Sequence, residues 1–341
     1  MRALVKHAGG VGIEEVAEPE LEPGHVLVDV AHAAVCGTDR AALDGGHDVG
    51  SGTRTLGHEA SGRIVAIAPG GVRDDLRVGD RVTFETDAYL CMRCDACRTE
   101  QYNRCPNRRG IGTTADGALA DRIAMPERAI HVLPDSVSLV EAALTEPLAI
   151  AVHAVVEQSP SLVGEVVVVI GPGAIGQLCA RVARAVGATV VLVGRSRHAA
   201  SLAKARNAGI DVVVDAETED LDAIVHGLTG GRGAHSVFEC SGATSVAESS
   251  LPLLRRGGRL VLVAFFQTAP AFDVDRLIHH ELEIVGSRGK RPSSYRTALA
   301  LMASGAVRVE PLISARLPLE SWADGLDRVA RGEKVVFDVA P

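Results

Sequence analysis

The stretch that most constrains this chain is VVVVIGPGAIG, residues 166–176. Val166–Ile170 is an unbroken run of β-branched residues without polar alternation, the pattern of a strand buried on both faces. The run breaks into Gly171-Pro172-Gly173-Ala174-Ile175-Gly176, after which Gln177–Val186 repeats apolar residues at helical spacing. The glycines therefore make a strand-to-helix turn of the form GxGxxG. Gly171 allows the tight turn, Gly173 lets backbone approach a pyrophosphate, and Gly176 lets helix and strand pack closely. The helix start at Ala174 and Ile175 then turns unpaired N–H groups and a positive dipole end toward the phosphates. A second strand at Thr189–Val193 supports a dinucleotide-binding unit.

The end of that second strand selects the dinucleotide. An acidic residue there would hold the ribose hydroxyls of NAD, but the chain reads Gly194-Arg195-Ser196-Arg197, and no carboxylate is expected nearby. Arginine offers a planar fork to a 2′-phosphate and serine a hydroxyl donor, so NADP is expected in preference to NAD. A solvated arginine pair is the alternative.

At 341 residues the chain exceeds the usual size of one core, so two domains are expected. A net charge of −8 and the lack of a basic cluster give no footprint for nucleic acid. No apolar run reaches the roughly 18 residues of a membrane span. Met1–Val5 runs into Lys6 and His7 without the apolar segment of an export signal, so a cytoplasmic protein is expected. Aromatic residues make up only 3%, leaving Val, Leu, Ile and Ala to build the core.

The first 150 residues read as short strands between turns. Candidates are Ala3–Val5, His25–His32, Gly62–Ile67, Arg81–Phe84 and Ala120–Met125, separated by Glu-Pro-Glu, Pro-Gly-Gly and Val-Gly-Asp signals. An irregular, barrel-like β domain is the expectation. Within it Cys91, Cys94, Cys97 and Cys105 give C-x2-C-x2-C-x7-C, dense enough to wrap four thiolates around one structural zinc ion. Disulfides fit poorly with adjacent C-x2-C pairs and no secretion signal, and an iron–sulfur cluster is a second rival. Arg93, Arg98 and Arg104 are either counter-charges to the thiolates or plain surface residues.

A separate set of fragments carries reactive groups: Cys36-Gly37-Thr38-Asp39, Gly57-His58-Glu59 and Thr145-Glu146-Pro147-Leu148. One thiolate, one imidazole and one or two carboxylates make a zinc site with a position left for water or substrate. Each fragment alone is unspecific; together with the glycine turn and the four cysteines they form a pattern.

That pattern resembles the zinc-dependent medium-chain dehydrogenases, the alcohol dehydrogenase-like family, over essentially the whole chain. Gly-His-Glu followed by Glu-Pro-Leu and the Val152-His153 pair is most similar to the polyol and threonine dehydrogenase branch. The resemblance implies a catalytic zinc on Cys36 and His58. It implies Glu59 as third ligand, with Glu146 meeting the metal directly or through its water. It also implies a second, structural zinc on the four cysteines, Thr38 as carrier of the hydroxyl proton, and Asp39 as the group that orients the His58 ring. Its fold is a Rossmann doubly wound parallel sheet beside a GroES-like β domain. Many relatives carry a relay histidine three residues beyond Thr38; here that position is Ala41, and His47, nearby in sequence, reads as a glycine-flanked surface histidine ahead of a substitute for it.

Downstream, Asp211–Val214, Ser236–Glu239, Arg259–Ala264 and Glu283–Val285 read as further strands, with helices at Ser201–Ala208 and Leu221–Leu228. Cys240-Ser241 and Ala264-Phe265, at the ends of two of these strands, should line the nicotinamide side of the crevice, while Cys179 reads as an inert packed thiol. Glu217, Glu219 and Asp220 read as a solvated helix start. After Gly286 the chain returns to the first domain, and Lys290, Arg291 and Tyr295 reach either a polar substrate or solvent. Domains at 1–149, 150–286 and 287–341, with a cysteine lobe at 88–110, close on a cleft that holds the catalytic zinc. The implied reaction moves hydride between NADP(H) and a polar secondary alcohol or its ketone: a polyol, sugar, cyclitol or amino alcohol. The family suggests a homodimer or homotetramer. A zinc-free quinone or enone reductase of the same fold and a non-catalytic nucleotide-binding protein are the alternatives.

Overall fold

The computed structural model describes residues 1–7, 10–43 and 52–339, so His47 lies outside the described residues. The chain forms two compact units, Met1–Ala149 with Lys290–Pro341, and Ile150–Gly289. Among the described residues no helix is long and apolar enough to cross a membrane.

In the second unit the glycine turn begins a six-stranded sheet. Its strands follow the order Val212–Asp215, Thr189–Gly194, Val166–Ile170, Ala234–Glu239, Leu254–Leu262 and Glu283–Gly286, all parallel. That is the doubly wound Rossmann order, reversing direction beside Val166–Ile170. Val168, Val191, Val214, Val237 and Leu260 are buried in one core, which explains why these strands read as continuous apolar runs. The helix Ala174–Ala185 leaves the turn directly. Gly171 has φ +105°, and a Cβ on Gly176 would lie 1.8 Å from the Gly171 carbonyl oxygen, so neither position accepts a side chain.

The first unit is organised on a seven-stranded sheet. Its path runs Ile130–Val132, Arg81–Phe84, Glu59–Ile67, His25–Val35, Lys334–Asp338 and Ile313–Pro318, with Arg122–Pro126 also pairing to His25–Val35. Register shifts at Leu27/Val28 and Val30/His32 let this long strand serve several neighbours. Leu4, Val28, Ile64, Phe84, Met125 and Phe337 are among the buried residues of its core. Arg2–His7, Gly10–Glu15 and Arg54–Thr55 form a smaller antiparallel sheet. The returning segment adds the helix Pro292–Ala303 and the strand Lys334–Asp338 to this unit.

Several elements were absent from the sequence reading. Gly10–Glu15, with glycines at alternate positions, lacks the apolar alternation of a strand and is held by pairing with Arg2–His7. Ile130–Val132 is too short to signal itself, and Ile313–Pro318 is half polar. The fifth strand of the parallel sheet begins at Leu254 rather than Arg259, through two arginines and two glycines.

The strand Glu59–Ile67 is entered through a strained corner. Gly57 has φ +90°, and a Cβ there would meet Leu119 Cγ at 2.6 Å. The close approach comes from a zipper in which the backbone N–H groups of Gly117, Ala118 and Leu119 donate to the carbonyls of Thr55, Gly57 and Leu56. Only glycine fits this corner, which presents His58 and Glu59 side by side.

Candidate active site

Three fragments of the first unit converge. Cys36 precedes the helix Gly37–Leu43, and its carbonyl accepts from the Asp39 and Arg40 N–H groups. Ligand atoms of Cys36, His58 and Glu59 all lie within 4.8 Å of one another. Thr38 Oγ1 is 3.7 Å from Cys36 Sγ, so the hydroxyl stands at the same site. Asp39 is buried and braces both sides: its carboxylate accepts from the Cys36 N–H at 3.0 Å and the Gly57 N–H at 3.2 Å. Its Oδ1 also lies 3.5 Å from His58 Nδ1.

The carboxylates of this site are deeply buried. Glu59 is 1% exposed and Glu146 3%. Each is paired with a buried lysine of the same unit: Glu59 with Lys334, and Glu146 with Lys290. Lys334 Nζ also donates to the Val35 carbonyl at 3.2 Å. Burial pushes the Glu146 carboxyl up, but Lys290, His58 and Lys334 outweigh it and leave its pKa below the ordinary value. At Glu59 burial prevails, helped by the Glu146 charge, and the pKa rises despite Lys334. Burial lowers the His58 pKa, yet Asp39 more than reverses this and holds it well above its usual value.

This donor set fits a divalent cation. With Cys36 counted as thiolate and His58 as the neutral imidazole that ligation requires, the anions Cys36, Asp39, Glu59 and Glu146 face the ammoniums of Lys290 and Lys334, leaving the charge that one such ion would cancel. A thiolate with an imidazole and a carboxylate is a donor set zinc favours. Glu59 rather than Glu146 belongs to the three-residue cluster; Glu146 gives one oxygen to Lys290, and its Oε2 is buried without a hydrogen-bond partner.

The four cysteines form a second donor cluster, their sulfurs all within 4.8 Å of one another. Cys91 Sγ lies 3.9 Å from Cys97 Sγ and 3.7 Å from Cys105 Sγ. A tetrahedral ion with Zn–S bonds of about 2.3 Å sets its sulfurs about 3.8 Å apart, whereas a disulfide needs about 2.05 Å. Thiolates that each bind a different iron of a cluster stand wider than this. Met92, at φ +53°, turns the backbone so that the N–H groups of Arg93 and Cys94 reach the Cys91 sulfur, lowering its pKa to about 6. Burial, with the neighbouring thiols, pushes Cys97 up to about 12. The arginines are not used as counter-charges: Arg98 pairs with Asp95 and Arg104 donates to Gln101, while Arg93 contributes its backbone N–H.

In the second unit the expected cofactor residues gather at the carboxyl ends of the central strands. Space is open in front of Gly173, and Ala174 and Ile175 begin the helix. Cys240 and Ser241 abut the turn, since a Cβ on Gly171 would lie 2.8 Å from the Ser241 nitrogen. Buried Glu239 holds that corner by accepting from the Ser241 and Gly242 N–H groups and the Ser241 hydroxyl. Ala264 and Phe265 follow the fifth strand, with Phe265 largely exposed. Gly194 is packed against Leu202 and Pro172; Arg197 Nε donates to His198 Nε2 at 3.1 Å, and among the described residues neither Arg195 nor Arg197 is ion-paired to a carboxylate.

One expectation is corrected here. Carboxylates do lie beside Ser196: Asp215 Oδ2 accepts its hydroxyl at 2.6 Å and Glu217 Oε2 its N–H at 3.2 Å. They come from the end of the neighbouring strand and are invisible in the turn itself. The acidic run is accordingly more than solvated: Glu219 accepts from the Asp215 N–H, and Asp220 caps the helix Leu221–Thr229. Two further residues find structural roles. His153 is fully buried between Glu157 and Gln158, and Cys179 lies 4.0 Å from Cys240. Arg291 faces Gln101, while Lys290 pairs with buried Glu146. Lys334, which the sequence reading missed, gave only the signal of a charge at the head of the last strand.

A Rossmann sheet, a β unit carrying a Cys/His/Glu cluster and a four-cysteine lobe together define a zinc-type alcohol dehydrogenase. Residues 174–304 match the family model for a zinc-binding dehydrogenase, and residues 22–135 that for an alcohol dehydrogenase GroES-like domain. The chain belongs to this zinc-binding, alcohol dehydrogenase-like family and is a dehydrogenase of the alcohol and polyol type. It is 36% identical to the D-arabitol-phosphate dehydrogenase of Enterococcus avium, covering 98% of this chain and 96% of that one. It is 37% identical to a sorbitol dehydrogenase of Halalkalibacterium halodurans, covering 100% and 99%. A protein of Sinorhizobium meliloti 1021 described as a zinc-binding dehydrogenase, crystallised with NADP, superimposes with a TM-score of 0.90 at 30% identity and 99% coverage of both chains.

The two clusters should load independently. Metal analysis of the purified protein is expected to give two zinc ions per chain, falling to one in Cys36→Ser and to one in Cys94→Ser; a Cys36→Ser protein that retains two would remove the first cluster as a metal site.

Proposed function

We propose that the chain transfers hydride reversibly between NADP(H) and a polar secondary alcohol of the polyol or sugar-alcohol class, with a catalytic zinc on Cys36, His58 and Glu59 and a structural zinc on Cys91, Cys94, Cys97 and Cys105. The observation that carries this reading is the convergence of Cys36, His58 and Glu59, with Thr38 beside the sulfur and a buried Glu146 nearby. Zinc, when bound, polarises the substrate oxygen and lowers the alcohol's pKa, and the nicotinamide accepts the hydride. Thr38 takes the hydroxyl proton outward. Asp39 fixes the His58 ring and the Cys36 backbone together, so the ligands keep their geometry through turnover. Lys290 neutralises Glu146 and holds it away from direct ligation.

The substrate class rests on the polar character of the site and on relatives named for sorbitol and arabitol phosphate. Arg195 and Arg197 support NADP, as does the NADP-bound neighbour; Asp215 and Glu217 hold Ser196 through its hydroxyl and its N–H. The zinc-free reductase and the non-catalytic reading both leave the Cys36, His58 and Glu59 cluster without a purpose. A homodimer or homotetramer in the cytoplasm remains part of the proposal.

Polyols, cyclitols and amino alcohols assayed with NADP and NAD in parallel should reveal turnover that Cys36→Ser lowers at least 1,000-fold, on the order expected for losing the metal's contribution to the chemical step, with NADP affinity within twofold. Full activity in that variant would refute the zinc mechanism. Arg195→Asp should shift the ratio of kcat/KM for NADP over NAD toward NAD by about tenfold, the scale of one lost charge-assisted hydrogen bond; an unchanged ratio would take Arg195 out of the cofactor site.

A further inference from the structure

Glu239 ends the strand Ala234–Glu239 at the carboxyl edge of the parallel sheet and is 0% exposed. Glu59 and Glu146 each hold a lysine, but among the described residues Glu239 is ion-paired to no cation. Donors alone hold it. Its Oε1 accepts from the Ser241 N–H at 2.8 Å and from the Ser241 hydroxyl, and both of its oxygens lie 3.2 Å from the Gly242 nitrogen, whose N–H they share. The strand itself does not need this carboxylate: the Cys240 N–H donates to the Ile170 carbonyl, and the Glu239 carbonyl accepts from the Val263 and Ala264 N–H groups. A buried anion is costly, and this one is spent on fixing the three residues beyond the strand. That corner, Cys240-Ser241-Gly242, is tight on two sides. A Cβ on Gly171 would lie 2.8 Å from the Ser241 nitrogen, and one on Gly242, at φ +70°, would lie 2.7 Å from the Phe265 carbonyl oxygen. The space in front of Gly173 stays open, as a pyrophosphate requires. A dinucleotide on a doubly wound sheet crosses the strand ends where the order reverses, so the corner stands between the phosphate turn and the segment after the fifth strand.

We propose that Glu239 is a positioning residue for the nicotinamide half of the cofactor: by clamping Ser241 and Gly242 it fixes the Ala264-Phe265 segment relative to the glycine turn, and so fixes where the ring docks. The inference rests on the dinucleotide reading above and adds the side chain that sets its two halves against each other. Glu239 touches no part of the cofactor and acts through the corner. A carboxylate is suited to this task because it only accepts, and every group aimed at it is a donor. Glutamine at this place keeps the shape and one accepting oxygen but turns an amide donor onto the Gly242 N–H. The Ser241 side of the corner then stays held against Gly171, while the Gly242 side, which abuts Phe265, is released.

The test compares whole cofactors with their adenosine halves in the wild type and in Glu239→Gln. NADPH and NADH are titrated by nicotinamide fluorescence, and 2′,5′-ADP and ADP by calorimetry, on the zinc-loaded protein. Glu239→Gln should raise the dissociation constants of NADPH and NADH about tenfold, the scale of a buried donor left unpaired, while 2′,5′-ADP and ADP bind within twofold of the wild type. The emission of bound NADPH should also move toward that of the free coenzyme. A role in folding alone would weaken all four ligands together; that result, or four unchanged constants, overturns the proposal. NADH bound more tightly than NADPH would remove the NADP reading, yet the split between whole and half ligands would still decide Glu239. A wild type that binds none of the four defeats both readings. If Glu239→Gln does not fold, Ser241→Ala, which takes one donor from the same carboxylate, decides by the same split.

Discussion

The structure depends on keeping several negative groups inside the first unit. Asp39, Glu59 and Glu146 are all buried, and an ionised carboxylate out of water is costly unless it is paired and hydrogen-bonded. The fold meets that cost with three devices. Backbone N–H groups of Cys36 and Gly57 hold Asp39, and the Lys334 ammonium reaches Glu59 from the last strand. The Lys290 ammonium reaches Glu146 from just before the helix Pro292–Ala303. With the Cys36 thiolate added to these three carboxylates and His58 neutral as a metal ligand must be, the two ammoniums leave two negative charges, which one divalent cation would cancel. The same residues that make the first unit expensive to fold therefore make it a candidate metal site.

Local backbone strain serves the same end. The left-handed corner at Gly57 sets His58 and Glu59 beside each other, and the left-handed Met92 wraps N–H groups onto the Cys91 sulfur. In the second unit Gly171 and Gly176 let the strand, helix and the Cys240-Ser241 corner meet at one point. Non-helical backbone at each site aims donors that a regular strand or helix would consume in its own hydrogen bonds.

Much of this was legible in the sequence because it is local. The glycine turn, the C-x2-C-x2-C-x7-C spacing and the Gly57-His58-Glu59 triplet each lie within a few residues. The apolar runs of the parallel sheet announce strands buried on both faces. What escaped is what the topology brings from afar. Lys334 is 275 residues from Glu59, and Lys290 is 144 from Glu146. A lone lysine in either place reads as a solvated charge. The carboxylates beside Ser196 escaped for a related reason: Gly194 and Asp215 are neighbours only through the parallel register of two strands. Of the arginines near the cysteines, Arg98 turns to Asp95 and Arg104 to Gln101, the surface alternative of the two that the sequence left open.

X-ray absorption at the zinc edge of the purified, zinc-loaded protein tests the account most directly. With five thiolates shared between two ions, Cys91, Cys94, Cys97 and Cys105 on one and Cys36 on the other, the average first shell should hold about 2.5 sulfurs per zinc, completed by nitrogen and oxygen. A shell of four sulfurs and nothing lighter would mean that only the cysteine lobe binds metal, and the Cys36, His58 and Glu59 site would be contradicted.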